Sequence, residues 1–154
     1  MSSTVVSRHL RAPRERVYRA LTDARAISRW RVPLNMRSEV HEFDVRQGGR
    51  IRVSLTYERP GAAGKTSACT DTYHGHFVEL VENERVVEEL EFETSDRAMQ
   101  GLMRVAIELR DEAGGTSLRA RHDGLPAGVA MADNELGWQE SLTRLAVLVE
   151  GEGG

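Results

Sequence analysis

Few side chains in this 154-residue chain stand where they could do chemistry. His122 ends an alternating apolar run, Leu118, Ala120 and His122, just ahead of a turn. An imidazole there could hydrogen-bond a ligand, act as a base near neutral pH, or bridge the strand end to loop carbonyls. Glu135 stands one turn before Trp138 in a helical stretch and reads as a pocket carboxylate or as a solvated helix residue. Glu88 shares a strand face with Val86, Leu90 and Phe92. A carboxylate on an apolar face needs a partner or a raised pKa, which places Glu88 in a cavity wall or at a sheet edge. His74-x-His76 sets two imidazoles on one strand face, with Cys69 and Asp71 close in sequence but of opposite parity. Zinc needs three or four convergent ligands, so these read as two partly exposed histidines, and no metal is expected. Lys65 is the only lysine and falls in a Gly-rich turn, which argues against Schiff-base chemistry. Phosphate loops, nucleophile elbows and dinucleotide fingerprints are all missing, so neither a catalytic set nor a cofactor is expected.

The elements that must position these groups are legible from periodicity. Residues 4–11 read as a strand with Val6, Leu10 and then Ala12 on one face. Pro13 suits the first turn of a helix, along which Val17, Ala20 and Leu21 recur at helical spacing. A short helix from Ala24 to Arg29 follows, and Trp30 behind it is a large apolar plug ahead of Pro33. From Ser38 to Asp123 the period becomes two, with strands expected at 38–46, 50–58, 68–81, 85–94, 102–111 and 115–123. Ile51, Val53, Leu55 and Tyr57 against Arg52, Ser54, Thr56 and Glu58 is the cleanest case. Turns are expected at Gly48-Gly49 and at 60–64, and the links Asn83-Glu84 and 112–114 imply antiparallel neighbours. A last helix over Val129–Val149 carries Met131, Trp138, Leu142, Leu145 and Val149 as one apolar stripe. Gly137 inside it costs about 1 kcal/mol relative to alanine, offset by tight packing, a close sheet, or room for a guest. Only the end, 151–154, reads as frayed.

Composition bounds the class. A hydrophobic share of 40% and a charged share of 29% suit one globular domain with its own core. No apolar run nears the ~18 residues of a membrane helix, and the first residues show no signal pattern. Cys69 is the only cysteine, so an intrachain disulfide is impossible and a cytoplasmic location is expected. Residues 1–60 hold 13 Arg against 6 acidic residues, and the remainder 8 basic against 18 acidic. The arginines are dispersed, so the halves are expected to neutralise each other rather than bind nucleic acid. Within the acidic half, Glu89, Glu91 and Glu93 should form a wetted face opposite arginines such as Arg104, Arg110, Arg119 and Arg121, or a docking surface for a basic partner.

Ala12-Pro13, Gln47-Gly48-Gly49-Arg50, Gly75-x-x-x-Glu79, Gly115-Thr116-x-Leu118 leading to His122-x-Gly124-Leu125-Pro126, and Gly137-Trp138 occur in this order across residues 4–150. In these segments the chain resembles the START-like (SRPBCC) superfamily, in its single-domain bacterial branch related to the heat-shock chaperone ATPase activators. The resemblance implies one α+β helix-grip domain over 1–154: a strand, two short helices, six further antiparallel strands and a long C-terminal helix. It also implies a cytoplasmic binder of a small hydrophobic or amphipathic molecule held between sheet and terminal helix. Trp30, Tyr73, Phe77, Phe92, Met131 and Trp138 would supply apolar contact, and His122 and Glu135 the orienting polar contacts. Two other classes stay open: a stress-response co-chaperone acting through the acidic sheet surface, and a cyclase-like or hydrolytic enzyme using His122 or Glu88 as base. No membrane or nucleic-acid partner is expected, and a homodimer is left open.

Overall fold

The computed structural model describes residues 2–58 and 70–151. Lys65, Cys69, the turn expected at 60–64, the first two residues of the strand expected at 68–81, and 152–154 lie outside the described residues. Strand β1 (Ser3–Leu10) leads through helices α1 (Arg14–Leu21) and α2 (Ala24–Trp30) to β2 (Met36–Phe43). A meander follows: β3 (Arg50–Tyr57), β4 (Thr70–Val81), β5 (Arg85–Phe92), β6 (Met103–Glu112) and β7 (Gly115–Asp123). Helix α3 (Met131–Glu150) closes the chain. The result is the expected α+β helix-grip architecture.

The seven strands form one antiparallel sheet in the order β1-β7-β6-β5-β4-β3-β2. The two helices after β1 therefore carry the chain from one edge to the other, and the meander returns to pair β7 with β1. Register shifts between Val40 and Glu42 and between Phe77 and Glu79 mark bulges, which add local twist and let the sheet curl. Asn83 takes φ 63° in the β4–β5 turn, a left-handed conformation that asparagine tolerates.

Local chemistry sets the helix ends. The Pro13 carbonyl accepts from Arg16 N–H at 3.0 Å and Val17 N–H at 3.2 Å, so proline stands just before α1. The Asp23 carboxylate accepts from Arg25 N–H at 2.9 Å and caps α2. Trp30 is fully buried, and its indole N–H donates to the Ala20 carbonyl at 2.9 Å, pinning α2 to α1. Leu10, Val17, Ile107, Leu118, Leu142 and Leu145 are buried with it, drawing strands and all three helices into one core.

The outer sheet face behaves as expected in outline and differs in its partners. Arg52 makes a two-pronged contact with Glu93 at 2.8 and 3.0 Å, His74 meets both Glu91 and Glu93, and Arg104 meets Glu89. Both histidines face the acidic row, His76 lying 3.7 Å from Glu89, and among the described residues no group of three or more His, Cys, Asp or Glu could hold a metal ion. No helix of the described residues is long and apolar enough to cross a membrane.

Gly75 is dictated by a close approach. A Cβ there would lie 1.8 Å from the Glu89 carbonyl oxygen, so the β4–β5 pairing leaves no room for any side chain. Gly75→Ala should therefore lower unfolding stability by about 3 kcal/mol. Urea denaturation measures this, and an unchanged midpoint would contradict the β4–β5 register.

Candidate functional site

A hollow of about 180 Å³ lies between the sheet and α3. Tyr73 on β4, Leu90 and Phe92 on β5, Met103 on β6 and His122 on β7 contribute its sheet wall. Asn134, Gly137, Trp138 and Ser141 contribute the helix wall, and Arg31 and Pro33 close the side beyond α2. Leu125 and Val129, in the link between β7 and α3, complete it with Met36, Leu55, Asp71 and Asp133.

The interaction that organises this end is a buried ion pair. Glu88 is 1% exposed, and Arg31, just past α2, reaches it with Nη1 at 3.0 Å from Oε2. Nη2 stands 2.9 Å from Oε1, but its N–H is not aimed there, so Oε1 takes no hydrogen bond. Burial works against the Arg31 charge, yet Glu88 and Tyr73 outweigh it and raise the guanidinium pKa above its ordinary value. The same guanidinium carbon lies 5.2 Å from the centroid of Trp138, a cation–π stack. Helix α2, strand β5 and helix α3 therefore meet through one arginine.

His122 is locked as a neutral ring. Trp138 Nε1–H donates to its Nδ1 at 3.1 Å, which leaves the ring proton on Nε2, facing Met103 Sδ at 3.1 Å. Burial, then the Arg31 charge, push its pKa down to about 4 against the opposing pull of Asp123. Both ring nitrogens are thus engaged, and the histidine orients Trp138 instead of standing ready as a base. Tyr73, 9% exposed, has its pKa raised by burial, with Arg31 working against that rise and Glu88 adding to it.

Of the eight residues expected at the site, Tyr73, Phe92, His122 and Trp138 come together around the hollow. Trp30 and Phe77 are fully buried elsewhere: Trp30 between α1 and α2, Phe77 edge-on to Phe43 at 5.2 Å. Met131 and Glu135 do not line the hollow either. Met131 is 52% exposed at the first residue of α3, where the stripe runs past the core. Glu135 is exposed and faces β1, beside Val5 and Arg8. At about 100° per residue, Glu135 falls on one flank of Trp138 while Gly137 and Ser141 fall on the other, and the hollow lies on that second flank.

Arg31 and Gly137 line the hollow and are the positions that sequence reasoning missed or left unresolved. Glu88 called for a partner or a raised pKa and was expected in a cavity wall or at a sheet edge. It instead lies buried on the central strand β5, outside the lining of the hollow, and nothing in the spacing pointed to Arg31 as its partner. At Gly137 a Cβ would touch only Pro33 Cγ, at an ordinary 3.8 Å. Close packing does not require glycine there; it leaves space on the side of the hollow.

The comparisons with known proteins agree with this architecture. The family model described as "Activator of Hsp90 ATPase homolog 1-like protein" matches residues 11–150. Protein CV1439 from Chromobacterium violaceum is 32% identical, with a TM-score of 0.87 and coverage of 96% of each chain. The AHSA1-like protein from Aeromonas hydrophila shares the fold at 20% identity, with a TM-score of 0.72 over 99% of this chain and 94% of its own. Protein NE0264 from Nitrosomonas europaea does so at 22% identity, with a TM-score of 0.75 over 98% and 96%. No curated protein matches the sequence.

Two outcomes follow from the site's electrostatics. Arg31→Met alone should cost about 3–5 kcal/mol by stranding Glu88, while Arg31→Met with Glu88→Leu should recover most of that loss. Additive losses in urea denaturation would contradict the pairing. His122 also makes stability depend on pH, because between about 6.5 and 4 only the unfolded chain takes up its proton. Stability should fall by up to roughly 3 kcal/mol as pH drops through that window. Glu93, held at about 2 chiefly by its hydrogen bond to Arg52, loses its contribution only as pH falls from its ordinary 4.5. The slope above pH 4.5 should therefore flatten in His122→Gln, and an unaltered slope would refute the neutral buried ring.

Proposed function

The chain belongs to the Activator of Hsp90 ATPase homolog 1-like family, and from that premise we propose that it binds a small, largely apolar molecule between its sheet and α3. One observation carries the reading: an apolar-walled hollow of about 180 Å³ lies under Trp138, beside a glycine that packing does not require. Ligand sites are characteristically apolar walls with a few placed polar groups. An engineered apolar cavity of about 150 Å³ takes up benzene, so this space suits a molecule of one or two rings. Removing its apolar surface from water contributes roughly 25 cal/mol per Å², from which association costs are subtracted.

The chemistry of the walls favours binding over turnover. His122 and Glu88, the two candidate bases, are committed to Trp138 and Arg31 respectively. The co-chaperone reading draws on the family's description, but the acidic row meant to serve it is paired with Arg52, His74 and Arg104 of the same sheet. That internal neutralisation leaves less charge to recruit a basic partner.

Gly137 gives the test. Gly137→Ala should raise stability by about 1 kcal/mol through helix propensity. Gly137→Leu should fold, by circular dichroism, with the hollow filled. A saturating one- or two-ring ligand, tested as indole and 2-naphthol, should raise the wild-type melting temperature by several degrees, since about 100 Kd of free ligand adds roughly 2.7 kcal/mol. Gly137→Leu should lose that response. A flat wild-type response, or equal shifts in the two proteins, would overturn the reading.

A further inference from the structure

Helix α3 sets a gap and a hydroxyl side by side on its wall of the hollow. Gly137 and Ser141 both line that wall and stand one turn apart on one face of the helix. Helical side chains lean towards the N-terminus, so the Ser141 side chain leans over the turn that holds Gly137. A Cβ at Gly137 would meet only Pro33 Cγ, at 3.8 Å. Ser141 is 4% exposed, and among the described residues no group hydrogen-bonds its hydroxyl. Its oxygen is not one of the solvent-sealed unpartnered atoms, so the exposure it keeps opens on the hollow that Ser141 lines. A hydroxyl inside a helix has a ready acceptor in the carbonyl four residues back, and Thr143 uses it, donating to the Gln139 carbonyl at 3.0 Å. Ser141 makes no such bond to Gly137.

Most other polar groups of the wall are engaged or stand apart from that gap. His122 is held between Trp138 and Met103, and Arg31 serves Glu88. Asn134 Oδ1 accepts from Thr4 Oγ1 at 2.5 Å, and its amide nitrogen stands 3.5 Å from His122 Nδ1. Asp71 has an interaction of its own, and Asp133 is exposed in the first turn of α3. The Tyr73 hydroxyl, on the sheet wall, also lacks a hydrogen bond among the described residues, but it is Ser141 that adjoins the space left at Gly137. A buried hydroxyl without a partner is unfavourable, and it can either donate to a ligand or accept from one. Resting on the binding role proposed above, we infer that Ser141 determines specificity in the hollow: its hydroxyl hydrogen-bonds a hydroxyl or carbonyl oxygen on a one- or two-ring occupant seated against Gly137.

Equilibrium dialysis of the intact chain against naphthalene, 1-naphthol and 2-naphthol at neutral pH tests this, because each naphthol differs from naphthalene by one oxygen. The better-bound naphthol should bind about 5-fold tighter than naphthalene, the worth of one neutral hydrogen bond. Ser141→Ala removes a single oxygen where alanine favours the helix, so circular dichroism should show it folded. The readout is the ratio of the naphthol and naphthalene affinities, since the truncation also enlarges the hollow. In Ser141→Ala that ratio should fall to about two-fold or less. A wild-type ratio near one would overturn the assignment. So would a ratio that survives Ser141→Ala, which would move recognition to another wall group such as the Tyr73 hydroxyl. Either result leaves the binding role intact. Failure of all three compounds to bind the wild-type chain would remove that role, and the assignment with it.

Discussion

The pairing of Arg31 with Glu88 constrains the end of the fold where the hollow lies. A carboxylate 1% exposed on an apolar sheet face is untenable alone, and Arg31 is the cation that reaches it. Breaking such a pair costs more than it contributes relative to apolar residues, so its value lies in what it positions. Here it ties the end of α2 to β5 and offers its flat face to Trp138. Arginine suits this task better than lysine, because a planar guanidinium can serve a carboxylate along its edge and an indole across its face. Trp138 in turn is held from the sheet by His122, so the helix lies over the strands at a distance set by polar contacts. The hollow is what remains between surfaces held apart in this way.

Much of the fold was legible in the sequence because curled sheets and amphipathic helices leave strong periodic marks. The alternation in β3, the positive-φ turn at Asn83 and the stripe from Trp138 to Val149 each follow from a local rule. The site was legible only in part. Tyr73, Phe92, His122 and Trp138 share inward faces near the hollow, whereas Phe77 has the same parity as Tyr73 but stands four residues further along β4, packed on Phe43. Parity reveals the face of a strand and not the position along it. Met131 fails for the same reason on a helix, since it has the right phase but stands past the end of the core. Arg31 was invisible because its partner is 57 residues away and its type is one of 13 arginines in the first 60 residues. Only the demand made by Glu88 foretold it.

The same contacts fit the proposed binding role. His122 and Glu88 are engaged in orienting Trp138 and Arg31, and the walls around them are largely apolar.

If a ligand is held between α3 and the sheet, apolar solutes should enter the hollow there. Xenon diffused under pressure into crystals of the protein tests it directly, because a dry apolar cavity of this size takes up such atoms. A xenon site is expected among Leu90, Met103 and Trp138. Crystals that show those side chains closed on one another, with no xenon between them, would contradict it.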